Sequence, residues 1–165
     1  MARPRLVPHD RPLGVASPPM SAQIEVVDQS SDEAVAELTE ALGRLLPQLS
    51  SSPPPDAEYV KLLIDDPGTV VFVARLDGRI VGSLTLVLYR IPTGLKAWIE
   101  DVVVDDAARG HGIGNALNLA ALDEAKRRGI KAVSLTSRPS REAANRLYQR
   151  IGFTARSTNV YRYDF

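Results

Sequence analysis

Two kinds of spacing between apolar residues divide the chain from Gln23 onwards. Alternating or β-branched runs predict strands over Gln23–Asp28, Val70–Leu76, Ile80–Ile91, Ala97–Val104 and Ala132–Thr136. Apolar residues three or four positions apart predict helices from Ser31 to about Leu49, over Ala57–Ile64, from about Gly112 to Arg128, and over Arg141–Arg150. The segment Phe153–Phe165 alternates again, which predicts one or two final strands.

Residues with special backbone preferences stand at the ends of these elements. Ser31 and Asp56 are placed to cap the first two helices, and the dipeptide Asp77-Gly78 predicts a tight hairpin. Gly129 and Gly152 are placed to end the last two helices. The predicted order is β-α-α-β-β-β-α-β-α-β with a possible last β. Hairpins followed by a βαβ crossover indicate an α/β (or α+β) domain, in which helices flank a central mixed sheet.

Length and composition fit one domain. The chain has 165 residues, of which 44% are apolar, enough for a single core but not for two comfortable ones. Residues 1–20 contain five prolines without any periodicity, so we expect a disordered extension there and a single domain over residues 21–165. Met20 precedes the first strand directly and offers an alternative start.

Composition also excludes several kinds of chemistry. The chain has no cysteine, which removes disulfides, thiolate nucleophiles and zinc–thiolate sites, and its two histidines are too few for a convincing metal site. We therefore expect no metal. No apolar run approaches the length of a membrane span and no secretory signal is visible, so we expect a cytoplasmic protein that binds no membrane.

The charge is zero overall but unevenly distributed. Residues 1–106 carry 9 basic and 16 acidic side chains, whereas residues 107–165 carry 11 basic and 4 acidic ones. A basic half is compatible with a nucleic-acid surface, with a site for a small polyanion, or with an ordinary solvated surface. Aromatic residues make up only 5% of the chain, which counts against an RNA-binding surface.

A glycine-rich stretch, RGHGIG at Arg109–Gly114, follows a valine-rich strand and opens a predicted helix. Glycines before a helix N-terminus let backbone amides approach a phosphate closely. The stretch has no Gly-Lys-Ser/Thr, which excludes the P-loop, and neither frame completes the G-x-G-x-x-G/A dinucleotide pattern. It matches [QR]-x-x-G-x-[GA] at every fixed position.

This loop resembles the acetyl-CoA-binding loop of the GNAT family of N-acetyltransferases. A second segment, Ala144-x-x-Leu147-Tyr148-x-x-x-Gly152-Phe153, resembles the family's element A-x-x-x-Y-x-x-x-G-F, and the predicted element order matches from about Ala22 to Phe165. The stretch WIEDVVVD also resembles the corresponding strand of glucosamine-6-phosphate acetyltransferases. One strand is too little to assign the acceptor.

The resemblance implies roles for particular residues. The cofactor acetyl-CoA would contact the main chain of Val102, Val103 and Val104, and its pyrophosphate would bind the amides of Arg109, Gly110, His111, Gly112, Ile113 and Gly114. Tyr148 would protonate the departing thiolate, although it also fits an ordinary apolar stripe on its helix. Asn145 is a candidate for a pantetheine amide. The family's usual asparagine is replaced by Arg141, which suggests that Arg138 or Arg141 instead meets a phosphate.

Two carboxylates, Glu100 and Asp101, interrupt an otherwise apolar strand, where an unpaired charge is expensive. Because strand side chains alternate, we expect the two to point to opposite faces, with at most one in a given cleft. Glu100 is the favoured general base, directly or through a water. A salt bridge at the strand end or a backbone cap would explain both residues equally well.

The function that follows is transfer of an acetyl group from acetyl-CoA to a primary amine by direct attack, since no cysteine is present to carry the acyl group. We expect a small-molecule acceptor held near Glu100, with the Ser50–Pro55 loop as rim or lid, and no nucleic-acid partner. A homodimer through an exposed final strand is possible. The alternatives are a noncatalytic coenzyme-A-binding sensor of the same fold and a nucleic-acid-binding module.

Overall fold

A five-stranded sheet runs through the part of the chain that the computed structural model describes, residues 22–165; the segment expected to be disordered, residues 1–20, lies outside it. The strands are β1 (Gln23–Val27), β2 (Thr69–Leu76), β3 (Arg79–Ile91), β4 (Gly94–Val104) and β5 (Val133–Ser134). The helices are α1 (Asp32–Leu45), α2 (Ala57–Asp65), α3 (Ile113–Arg127) and α4 (Glu142–Ile151).

The strands lie side by side in chain order. Strands β1 to β4 are antiparallel neighbours, and β5 adds to β4 in parallel after the crossover through α3. This mixed sheet with flanking helices confirms the predicted fold class. Strand β5 pairs with Ala97 and Trp98, so no strand within residues 22–165 pairs with the last six residues of β4, residues 99–104, on that edge.

The capping and turn residues form the local structures that the sequence predicts. The Ser31 side chain accepts a hydrogen bond from the amide of Ala34, which satisfies one free amide at the start of α1. Asp77 and Gly78 both have positive φ, at 50° and 78°, as a type I′ hairpin turn requires. These local signals explain why most element ends agree with the sequence within two or three residues.

Apolar side chains on the two faces of the sheet form two cores. Helix α3 packs on one face, where Ile113 and Leu117 meet side chains of β2, β3 and β4. Helices α1 and α2 pack on the other face through Leu38, Leu45 and Val60. Both faces of the sheet are therefore covered. The sheet holds the C-terminal end of α1 and the N-terminal end of α3 in fixed positions near the C-terminal half of β4.

The final strand predicted over Phe153–Phe165 is wrong. No residue after Gly152 joins a sheet, and large apolar side chains there are solvent-exposed, as with Val160 at 77% and Tyr161 at 86%. Alternation identifies a segment that can form a strand, but a strand also needs a hydrogen-bonding partner and a surface on which to bury one face.

Candidate functional site

The glycine-rich loop forms a concave backbone at the start of α3. Gly110 and Gly112 adopt the left-handed conformation, with φ of 84° and 73°, and Gly112 is the N-cap of the helix. The amide of Ala116 makes the first helical hydrogen bond, to the Gly112 carbonyl at 3.0 Å. The amides of residues 113–115 precede it and have no partner within the helix, so they are available to an anion.

An ion pair from α1 anchors the chain just before this loop. Arg44 donates to the Asp105 carboxylate and to the carbonyl of Ile80, both at 2.9 Å. The second carboxylate oxygen of Asp105 accepts from the amide of Ala107 at 3.2 Å and closes the short 3₁₀ turn that follows. Helix α1 and strand β3 thereby fix where the glycine-rich loop begins.

The side chains of the loop are engaged within the loop itself. Arg109 pairs with Asp106 at 2.6 Å in solvent, where such a pair contributes little to stability. The Nδ1 atom of His111 lies 3.2 Å from the Ala108 carbonyl oxygen, a bond that needs the proton on Nδ1. That the loop contributes backbone amides, with no base supplied by His111, stays a prediction, since a proton on Nδ1 leaves Nε2 as an acceptor.

Strand β4 contains a bulge at its two carboxylates. Strand β3 pairs Ser83 with Val103 but Thr85 with Glu100, so one residue of β3 faces two residues of β4. Asp101 has a φ of 48°, which is uncommon for a residue other than glycine and tolerated best by Asn and Asp. Asp101 is therefore the extra residue in the strand, at the point where β5 no longer covers β4.

The bulge overturns the expectation that Glu100 and Asp101 point to opposite faces. Both residues line the same cavity, because the extra residue breaks the alternation of side chains. Burial raises the pKa of Glu100, the neighbouring Asp101 charge raises it further, and the side chain of Trp98 partly opposes both effects. A carboxylate with a raised pKa is a better proton acceptor.

The cavity has a volume of about 540 Å³ and lies between the sheet and the helices α1 and α2. Its floor is formed by β3 and β4, and its walls by the end of α1, the loop before α2, and α2 itself. The lining residues other than the two carboxylates are Leu42, Leu46, Ser50, Ser52, Pro53, Pro55, Tyr59, Leu63, Ser83, Thr85 and Val87. Four residues of the Ser50–Pro55 segment thus line the cavity, and the expected role of this segment as rim or lid stays a prediction.

Tyr148 lies on α4 and is not among the residues that line the cavity. Burial raises the pKa of its phenol, and the charge of Arg141 opposes that rise. The ring packs edge-on against Phe153 at a centroid distance of 5.9 Å. Tyr148 is therefore protonated at neutral pH, as a proton donor must be, whereas its role as the donor stays a prediction.

Arg141 makes a contact that the sequence did not reveal. Its guanidinium donates to the Leu49 carbonyl at 2.6 Å, so it joins the start of α4 to the loop at the cavity rim. The two residues are 92 positions apart, and no local pattern marks such a contact. Asn145 donates to the Arg138 carbonyl at 3.0 Å, which engages its amide nitrogen but leaves its oxygen open for a pantetheine group. The phosphate and pantetheine contacts of these residues stay predictions.

Residues 22–165 contain neither a metal-binding cluster nor a membrane-spanning helix. No cluster of three or more His, Asp and Glu side chains there is arranged to hold a metal ion. No helix in that part of the chain has the length and apolar character needed to cross a membrane.

Known proteins resemble both the sequence and the fold. The chain is 36% identical over 90 residues to a mycothiol acetyltransferase of Thermomonospora curvata, and 38% identical over 90 residues to a glucosamine 6-phosphate N-acetyltransferase of Trypanosoma brucei brucei. These matches cover 54% and 53% of this chain but only 29% and 59% of the relatives, so the chain spans less than two thirds of either.

Solved structures match a larger share of the chain. An aminoglycoside acetyltransferase from an uncultured soil metagenomic sample, in complex with trehalose, has a TM-score of 0.74 at 25% identity, covering 87% of this chain and 95% of that one. The sequence model of the acetyltransferase (GNAT) family matches residues 35–153, which include the cavity, the glycine-rich loop and Tyr148. The chain therefore belongs to the GNAT acetyltransferase family.

Proposed function

We propose that this protein transfers an acetyl group from acetyl-CoA to a primary amine by direct attack in a ternary complex. The observation that carries the proposal is the junction of β4 and α3. There the edge of β4 at residues 99–104, which no other strand within residues 22–165 covers, leads into the glycine-rich loop. The amides of residues 113–115, just after that loop, have no partner within the helix. A strand edge and a helix N-terminus together suit a ligand with amide groups at one end and phosphates at the other.

The residues at this junction fit acetyl-CoA. The main chain of Val102–Val104 would pair with pantetheine, and an amide there can donate to the thioester oxygen as negative charge develops. The amides of Arg109–Gly114 would hold the pyrophosphate. Acetyl-CoA supplies the activated acetyl group. A structure neighbour from Clostridium acetobutylicum contains acetyl-CoA, but at 18% identity and a TM-score of 0.68 it supports the shared fold alone.

Two side chains would handle the protons. Glu100, whose raised pKa suits a general base, accepts a proton from the amine directly or through water. Tyr148, protonated at neutral pH, donates to the leaving sulfur, whose thiol pKa is about 8.5. Arg141 contacts the rim of the acceptor cavity and lies close enough to Tyr148 to affect its pKa, so it is a positioning residue between the two sites.

We favour a small molecule over a protein as the acceptor. The cavity beside Glu100 is of the size that takes a small ligand. Relatives named for mycothiol and for glucosamine 6-phosphate support this choice, whereas the relative N-alpha-acetyltransferase 30 of Schizosaccharomyces pombe bears the name of a protein-directed enzyme. A cytoplasmic location and a possible homodimer are also part of the proposal, to be checked by cell fractionation and by sedimentation.

A thiol-release assay with acetyl-CoA and a panel of amines tests the proposal. We expect thiol release that depends on the amine, and Glu100→Gln should lower kcat by about 10²-fold, the usual contribution of a general base. Glu58→Gln, an exposed change on α2 outside the cavity, is the matched control and should keep full activity. Coenzyme A binding without turnover of any amine would refute the enzyme and favour the noncatalytic sensor.

A further inference from the structure

The charges in the 540 Å³ cavity are all of one sign. Glu100 and Asp101 are its charged lining residues, and within residues 22–165 no lysine, arginine or histidine is among them. A protonated amine would enter a site with favourable charge. A phosphate or carboxylate on the same molecule would meet two carboxylates without a compensating cation, and would therefore be rejected.

The rest of the cavity is mostly carbon. Leu42, Leu46 and Leu63 form the helical wall, and Pro53 and Pro55 form the rim. Five lining residues carry hydroxyl groups: Ser83 and Thr85 lie on the floor beside the carboxylates, Ser50 and Ser52 lie in the loop before α2, and Tyr59 lies on α2. A ligand whose hydroxyls face the leucine and proline walls would lose hydrogen bonds to water without replacement. An apolar body would gain from the same contact.

From these two observations we propose that the acceptor is a cationic amine on an apolar body, without phosphate or carboxylate. The amine nitrogen lies at Glu100 and Asp101, and the body lies against the α1–α2 wall. This inference rests on the proposed function, since it assigns the cavity to the acceptor of that reaction. The acceptor then differs in class from the sugar phosphate for which one relative is named.

Matched amines test the proposal through kcat/KM in the thiol-release assay. The probes are 2-phenylethylamine, phenylalanine, which adds a carboxylate to the same skeleton, ethanolamine, which lacks the apolar body, and glucosamine 6-phosphate. We expect kcat/KM for 2-phenylethylamine to exceed that of each other probe by about 10-fold or more. Ethanolamine loses the apolar contact, whereas the anionic groups of phenylalanine and glucosamine 6-phosphate are repelled by the two carboxylates. Equal or better turnover of glucosamine 6-phosphate or phenylalanine would overturn the acceptor class.

Different results would refute the acceptor class and the acetyltransferase function. Amine-dependent thiol release confined to anionic or polyhydroxylated amines refutes the acceptor class but leaves the acetyltransferase in place. No thiol release with any probe or with an aminoglycoside, despite binding of coenzyme A, refutes the proposed function itself.

A pair of variants on α2 tests whether this cavity is the acceptor site. Tyr59→Arg places a cation at the cavity wall, and we expect it to raise the ratio of kcat/KM for phenylalanine to that for 2-phenylethylamine by about 10-fold, as one new charge pair predicts. Leu62→Arg adds the same charge on the same helix outside the cavity and should leave the ratio unchanged. An unchanged ratio in Tyr59→Arg would place the acceptor elsewhere.

Discussion

Three glycines in two helices should respond differently to the same substitution by alanine. Gly43 lies inside α1 with no atom within 4 Å of a new Cβ. Gly112 caps α3 with a φ of 73° and an equally open surrounding. Gly114 has helical backbone, but its new Cβ would lie 3.3 Å from Leu147 Cδ2. The three substitutions therefore differ in their effects: Gly43→Ala changes helix propensity alone, Gly112→Ala adds conformational strain, and Gly114→Ala combines the propensity change with a close contact.

The free energy of unfolding follows from these surroundings. Gly43→Ala should stabilise by about 1 kcal/mol, the helix propensity difference between the two residues. Gly112→Ala should destabilise by about 1–2 kcal/mol, the cost of a Cβ in the left-handed region. Gly114→Ala should change stability by less than about 1 kcal/mol, because the propensity gain of about 1 kcal/mol offsets a shift of a few tenths of an ångström by the flexible end of Leu147.

Urea unfolding of the three variants measures these values, and coenzyme A titration by calorimetry measures the effect on the proposed site. Only Gly112→Ala should also weaken coenzyme A binding, because relief of strain would move the amides at the start of α3. Stability of Gly112→Ala equal to that of the unsubstituted protein would refute the left-handed cap. Unchanged coenzyme A affinity in a destabilised Gly112→Ala would refute the loop as the phosphate site.

Three further predictions concern the rest of the site. Asp105→Ala should lower the free energy of unfolding by about 1–3 kcal/mol, since it leaves a partly buried Arg44 without its carboxylate; urea unfolding checks this, and full stability would contradict the anchor. Tyr148→Phe should lower kcat by about 10²-fold with coenzyme A affinity unchanged, and an unaltered kcat would return Tyr148 to a packing role. Asp101→Asn keeps the left-handed backbone but removes a negative charge that raises the pKa of Glu100, so the loss of kcat on acidification should occur at lower pH; a pH profile identical to that of the unsubstituted protein would argue against Glu100 as base.

Features determined by neighbouring residues could be predicted from the sequence. The hairpin at Asp77-Gly78, the cap at Ser31 and the helix end at Gly152 each depend on the backbone preference of one or two residues. The glycine-rich loop belongs to the same class, since its left-handed glycines and the following helix are adjacent in the chain. Such local patterns also indicate the family, and the family match to residues 35–153 confirms it.

Features that depend on distant partners could not be predicted in this way. The bulge at Asp101 exists only relative to the register of β3, so the alternation of residues in β4 alone gave the wrong faces for the two carboxylates. The contact of Arg141 with Leu49 and the ion pair of Arg44 with Asp105 join segments 92 and 61 residues apart. The strand predicted over Phe153–Phe165 does not form for the same reason. Strand pairing depends on a second segment, which the alternation within one segment cannot reveal.

The bulge in β4 also means that the strand contains one residue more than its pairing needs. If Asp101 were deleted, Val102 would stand opposite Leu84, while the pairs of Thr85 with Glu100 and Ser83 with Val103 would be preserved. Every side chain on both sides of the deletion would keep its face of the sheet. The sheet architecture thus tolerates a regular strand here, and what a shortened chain would lose is the second carboxylate of the cavity.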